Sequence, residues 1–119
     1  MINDNSLISK HSLLKFSFNK VFKVSFISSI GELVISIADG YILLDTTKSN
    51  NLDEMIIKTN YQYDKGNIEI LLDTSSIEIF INDGKETMTS RYYFKDEKLT
   101  ISYNGIDDVL YQNINVLKE

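Results

Sequence analysis

Residues 69–94 read Glu-Ile-Leu-Leu-Asp-Thr-Ser-Ser-Ile-Glu-Ile-Phe-Ile-Asn-Asp-Gly-Lys-Glu-Thr-Met-Thr-Ser-Arg-Tyr-Tyr-Phe, and their alternation decides the fold. Ile70 and Leu72, then Ile77, Ile79 and Ile81, then Met88, Ser90, Tyr92 and Phe94 recur at every second position. That is the period of a half-buried strand, whose successive side chains point to opposite faces. Asp73 to Ser76 and Asn82 to Gly84 interrupt the alternation with residues whose short polar side chains or missing Cβ suit tight turns. The stretch therefore reads as strand, turn, strand, turn, strand. Ile77, Ile79 and Ile81 are set to fill the space between two sheets, and Glu78 points away from that face.

The pattern extends in both directions. Leu14, Phe16 and Phe18 alternate with Lys15 and Ser17, and Phe22, Val24 and Phe26 alternate with Lys23 and Ser25. Leu33, Ile35 and Ile37 lead through Ala38-Asp39-Gly40 into Ile42 and Leu44, a hairpin signal. A polar loop covers residues 46–54. Beyond it come Ile57 to Tyr63, a turn at Asp64-Lys65-Gly66, a charged turn from Lys95 to Lys98, a strand of Leu99, Ile101 and Tyr103, a turn at Asn104-Gly105, and a closing strand from Val109 to Leu117. About nine or ten short strands at this spacing, with no helical period, predict an all-β fold: an antiparallel two-sheet β-sandwich of the concanavalin-like jelly-roll type. A closed barrel is the structural rival. Residues 11–119 form one domain in this reading, and residues 1–10 a flexible N-terminal extension.

Composition narrows the function. The 119 residues include no cysteine, which removes disulfides, thiolate metal sites and a cysteine nucleophile, and leave His11 as the sole imidazole. No cofactor-binding or metal site is expected. Seventeen acidic against twelve basic side chains give a net charge of −5, and the lysines form no stripe, so neither nucleic acid nor an anionic membrane is an expected partner. No apolar run approaches the roughly 18 residues of a membrane span, and residues 1–6 lack the basic and apolar segments of a signal peptide. The expectation for location is the cytoplasm.

Leu71-Leu72-Asp73, Ser75 to Gly84 and Met88-Thr89-Ser90-Arg91, taken together, resemble the C-terminal β-sandwich module of family 32 glycoside hydrolases, the invertase type that includes sucrose-6-phosphate hydrolases, levanases and inulinases. Ile42-Leu43-Leu44-Asp45 and Asn115-Val116-Leu117-Lys118 are weaker echoes, and Thr46 departs from the arginine that follows the aspartate in the family. The resemblance implies a bacterial β-fructofuranosidase or sucrose-6-phosphate hydrolase built in two parts, a five-bladed propeller that cuts the sugar and the sandwich beside it. Retaining glycosidases need two carboxyl groups about 5 to 5.5 Å apart. In the family these lie in segments containing Trp, Pro and Cys, none of which occurs in this chain. By resemblance the chain is a non-catalytic module that stabilises the propeller, its partner, and contributes to oligomerisation as a homodimer. The alternative is an accessory fructan-binding or other carbohydrate-binding module.

Individual residues fit that reading. No residue is assigned a catalytic role. Glu78 reads as a solvated strand carboxylate, Asp73 and Asp83 as turn formers, and His11 as a surface residue. Arg91, the single arginine, suits an ion pair within the domain or an interdomain contact. Tyr61, Tyr63 and Tyr93 are the candidate sugar contacts, because aromatic rings stack on sugar faces. Asp107 and Asp108, being adjacent, point to opposite sides of a strand and make a poor calcium site.

Overall fold

Two strands of sixteen residues each hold the architecture together. The computed structural model describes residues 3–48, 56–62, 64–92 and 94–114, and all the regular structure among them is β. In chain order the strands are β1 (Ser6–Ser9), β2 (Ser12–Ile27), β3 (Glu32–Ala38), β4 (Tyr41–Asp45), β5 (Ile56–Asn60), β6 (Lys65–Leu72), β7 (Ser76–Ile81), β8 (Glu86–Arg91) and β9 (Lys98–Asn113). All pairings are antiparallel. The first half of β2, residues 12–19, lies between β6 and the second half of β9, and β6 continues outward to β7 and β8. This is the front layer. The second half of β2, residues 23–27, lies between β3 and the first half of β9, flanked by β4 and β5 on one side and β1 on the other. This is the back layer, and the two together are the expected antiparallel β-sandwich. At the far side β5 approaches β8, which brings the sandwich close to the barrel that was its rival.

The inner faces pack as the alternation requires. Ile70 faces Leu14 on one side and Ile79 on the other, and Ile68 faces Phe16 and Ile81. In the back layer Val24 faces Ile35 and Tyr103, and Phe26 faces Leu33 and Ile101. Nearly all of these side chains are buried. Each contributes about 1.5 to 3 kcal/mol relative to exposure.

The layers join at a corner. Between the pairs Phe18 with Ile106 and Lys23 with Asn104, residues 19–22 of β2 lie against Gly105 alone. Such an excess of residues on one strand bends it and increases its twist. Lys20 takes a φ of 79° at the bulge and Gly105 one of 77° opposite it. A Cβ on Gly105 would lie 2.2 Å from the Val21 carbonyl oxygen and 2.9 Å from the Phe22 Cα, so only glycine fits. The Lys20 amide donates to the Asp64 carbonyl. Beneath the bend the Phe22 ring packs on Phe16 and Phe18 of the other layer, with centroids 5.7 and 4.6 Å away.

Several expectations are corrected. Asn104-Gly105 does not end a strand; β9 runs through it, because glycine here serves close approach and bending rather than chain reversal. Phe18 and Phe22 likewise belong to one strand. Gly66 lies inside β6, not in the turn before it. Residues 6–9 of the expected flexible extension form β1, which pairs with β9 and buries Ile8, while the buried Lys10 ammonium donates to the Phe94 carbonyl at 3.0 Å. By contrast the Asp39-Gly40 hairpin is as expected: φ values of 52° and 81° make it the primed turn that matches strand twist.

Substituting alanine at two glycines separates crowding from backbone strain. Gly84 also has a positive φ, yet a Cβ there meets nothing within 4 Å. Denaturant unfolding should show Gly84→Ala costing about 1 to 2 kcal/mol, the left-handed penalty alone. Gly105→Ala should cost more than about 3 kcal/mol, because a backbone clash adds to it.

Candidate functional site

The inner faces are filled, so recognition belongs to the outer ones, and a concavity there lies on the front layer. It is a groove of about 550 Å³ whose floor is one register row, Phe80 on β7, Glu69 on β6 and Lys15 on β2. Alternation puts all three outward, since their neighbours Ile79, Ile70 and Leu14 point into the core. Lys15 Nζ and Glu69 Oε1 are 3.6 Å apart, with both side chains about half exposed. Asn67 and Ser17 extend the floor by one row, and Asp83-Gly84 and Asp108 form the walls. Ser17 Oγ donates to Asp108 Oδ2 at 3.3 Å. Asp108 has a φ of 55°.

The Asp83 wall is held by a polar chain that starts from the Asn-Asp-Gly segment. Asn82 Oδ1 accepts from the Asn67 amide at 3.0 Å, extending the β6–β7 ladder by a side-chain rung. Asn82 Nδ2 donates to the Tyr61 hydroxyl at 2.9 Å, which donates to the Lys65 carbonyl at 2.7 Å. A Cβ on Gly66 would lie 2.0 Å from the Tyr61 hydroxyl oxygen, so this glycine keeps space for the chain.

Tyr61, a candidate sugar contact, is therefore a core residue, 6% exposed, with its ring centroid 5.6 Å from that of Phe18. Its face is covered by protein, which leaves none for a sugar. Tyr63 and Tyr93 lie outside the described residues. Arg91 ends β8, exposed and opposite Ser76. Neither Tyr61 nor Arg91 lines the groove. Asp83 and Asp108 do line it, although the sequence showed them only as a turn former and a poor metal ligand. Phe80 was visible merely as a strand residue opposite the isoleucines. The signal that joins Lys15, Glu69 and Phe80 is register between strands far apart in sequence, which no local pattern carries.

A second cluster sits at the β6–β7 turn. The Tyr92 hydroxyl donates to the Asp73 carbonyl, and its amide to the Ser75 carbonyl at 3.0 Å. Burial, and then the Asp73 charge, hold this hydroxyl protonated well above the usual tyrosine range. The His11 side chain is only 12% exposed, not the surface residue expected, and its Nδ1 lies 3.3 Å from Asp73 Oδ1. The geometry there is an electrostatic approach rather than an aligned hydrogen bond. Among the described residues no group of three or more His, Cys, Asp or Glu side chains is placed to hold a metal ion.

The outer face of the back layer has a different chemistry. Leu7 on β1 and Ile27 on β2 flank Thr100 of β9 in one row. They are 65% and 37% exposed, and Ile30 in the following turn is 54% exposed. The next row carries Ser102, Ser25 and Val34.

Comparison with known proteins places this geometry. Residues 15–117 match the family described as "Glycosyl hydrolases family 32 C terminal". A stretch of 38 residues, 31% of the chain, is 55% identical to a sucrose-6-phosphate hydrolase of Vibrio alginolyticus and spans 8% of that enzyme. The exo-inulinase of Aspergillus awamori superposes with a TM-score of 0.67 at 16% identity, over 91% of this chain and 26% of that one. Galectin-Ib of Xenopus laevis superposes at 0.65 with 14% identity, over 94% of this chain and 98% of that one. The two structural likenesses, at such identities, show the fold.

The Tyr92 hydroxyl makes alkaline stability testable. An exposed tyrosine ionises near pH 10, so above that pH the unfolded chain releases a proton that the folded chain keeps, and stability falls as pH rises. Tyr92→Phe should cost about 1 kcal/mol at pH 7 through the lost hydrogen bond. It should also flatten the loss of stability above pH 10 in denaturant titrations; an unchanged slope would show that Tyr92 is not its source.

Proposed function

The chain belongs to the family 32 glycosyl hydrolase C-terminal domains, and from that membership we propose that it is the non-catalytic sandwich of a β-fructofuranosidase of the sucrose-6-phosphate hydrolase type. The observation that carries the substrate class is the 55% identity to a sucrose-6-phosphate hydrolase over 38 residues. The parent reaction in this reading is hydrolysis of a terminal β-fructofuranoside with retention, performed by a propeller on the same polypeptide. The sandwich contributes stability.

The outer face of the back layer supports that role. Across β1, β9 and β2 its exposed aliphatic side chains Leu7 and Ile27 flank Thr100, with Ser25 and Ser102 in the next row, and the charges Lys23, Glu32, Asp45 and Lys48 gather to one side of this strip around Val34. A charge-depleted centre within a polar surround is the composition of the core of a protein interface. Interfaces between domains of one chain cover roughly 600 to 1,500 Å². Covering the strip with the propeller removes apolar surface from water and stabilises both parts. Dimerisation of the enzyme through the same strip would compete with this docking, so the reading assigns the strip to the propeller.

The test is a mixing experiment with the family 32 propeller of the parent enzyme, expressed separately. The chain alone should not hydrolyse sucrose 6-phosphate, and mixing should give a complex with a raised melting temperature for the propeller. Leu7→Asp and Ile27→Asp should each weaken association at least about ten-fold, the effect of some 1.4 kcal/mol. Leu7→Asp should change the stability of the chain itself by no more than about 0.5 kcal/mol, since that side chain is 65% exposed, and Ile27→Asp, nearly two-thirds covered within paired strands, should cost about 1 to 2 kcal/mol while the chain stays folded. Failure to associate would reject the buttress role, and association indifferent to both substitutions would reject the strip.

A further inference from the structure

The front groove is not used by the docking role, and its chemistry differs from that of an interface. We propose that it is a binding site for a neutral saccharide, centred on Phe80 and the Lys15–Glu69 pair.

Shape comes first. About 550 Å³ lies within the range of small-ligand sites, and the groove is open along the sheet rather than closed over. Phe80, Glu69 and Lys15 occupy three neighbouring strands in one row, so the row spans about 10 Å at the usual strand spacing. That length accommodates two sugar rings. The half-buried Phe80 ring offers an apolar surface with a negative π face, which complements the C–H groups on one side of a sugar ring.

Hydrogen bonding comes second. A sugar ring displays hydroxyls that both donate and accept, so a complementary site needs ammonium or amide donors beside carboxylate acceptors. Lys15 and Glu69 supply such a set, and their mutual distance of 3.6 Å leaves lone pairs and N–H groups of both directed elsewhere. The Asn67 side-chain amide and the Asp83 carboxylate have no hydrogen-bond partner among the described residues, and both border the groove. Asp108, fixed by Ser17, adds a further acceptor on the opposite wall.

Charge decides between neutral and anionic sugars. Glu69, Asp83 and Asp108 outnumber Lys15, so the groove is net negative and repels a phosphorylated or carboxylated saccharide. The site thus disfavours the phosphorylated disaccharide proposed as the parent enzyme's substrate and selects a neutral one. It would hold a neutral sugar chain against the sandwich, away from the catalytic part.

The experiment is an amide chemical-shift titration of the chain with a neutral fructan trisaccharide, a neutral maltotriose and sucrose 6-phosphate. At least one neutral trisaccharide should give saturable shifts at residues 15, 67, 69 and 80, with a dissociation constant on the order of 1 mM. Phe80→Ala and Glu69→Gln should each weaken that binding at least ten-fold, and Thr89→Ala, on the same face outside the groove, should not. Glu69→Gln keeps the shape of the side chain, so its loss of binding cannot be ascribed to misfolding. Absence of saturable shifts with both neutral sugars, saturation unaffected by Phe80→Ala and Glu69→Gln, or equal affinity for sucrose 6-phosphate would each overturn the proposal. The readout needs no propeller and stands whether or not the strip docks one.

Discussion

The approach of the Val21 carbonyl to Gly105 is the contact on which the rest of the sandwich depends. β2 and β9 each serve both layers, so the layers are joined twice by continuous backbone, and both joins bend at one place. There β2 has four residues for one of β9, and the extra length fits only because position 105 has no side chain. A Cβ would lift the bulge from its partner. It would also unseat the Phe22 ring from Phe16 and Phe18 and draw the Lys20 amide from the Asp64 carbonyl. The registers on either side of the bend place every inner side chain, so one atom-sized space governs two sheets.

A second fixed point lies at the open end of β6 and β7, and it ties the fold to the groove. Asn82 does more than turn the chain. Its amide continues the ladder to Asn67 and reaches Tyr61, whose hydroxyl closes on the Lys65 carbonyl. Each buried polar atom in this chain of bonds has a partner, which avoids the penalty of 1 to 3 kcal/mol, about the cost of leaving one unmade. The consequence is local rigidity just where Asp83 and Gly84 must stand as a wall. The core thereby sets the surface, since a loosened Tyr61 would release the turn and widen the groove.

Much of this was legible in the sequence, and the gaps have physical causes. Strict alternation from Ile68 to Ile81 left no other face for the isoleucines, and Asp39-Gly40 could hardly be anything but a hairpin turn. Gly105 was read as a turn because glycine marks two different needs, positive φ at a reversal and close approach at a bend, and its neighbours do not say which. β1 was missed because four residues carry almost no periodic signal; its strand state comes from the free edge of β9 that it pairs with. Tyr61 was taken for a surface ring because a tyrosine has an apolar body and a polar tip that suit either place. The groove was illegible for a deeper reason. Lys15, Glu69 and Phe80 are neighbours only through two registers, each fixed by core side chains on the opposite face.

A sandwich with both inner faces spent on its core has only its outer faces and edges left for function, and here the two outer faces diverge. The front carries ionic groups beside an aromatic ring in a concavity. The back carries an uncharged strip of aliphatics and hydroxyls across β1, β9 and β2, with its charges gathered to one side around Val34. Dehydration separates the kinds of partner the two faces suit. A large partner removes all water from the centre of its footprint, which penalises charges without partners and favours the back. A small polyhydroxylated ligand replaces water with its own hydroxyls group by group, so charged side chains keep their hydrogen bonds and the front suits it. Because the strands separate these surfaces by the full thickness of the core, occupation of one need not displace what is held on the other.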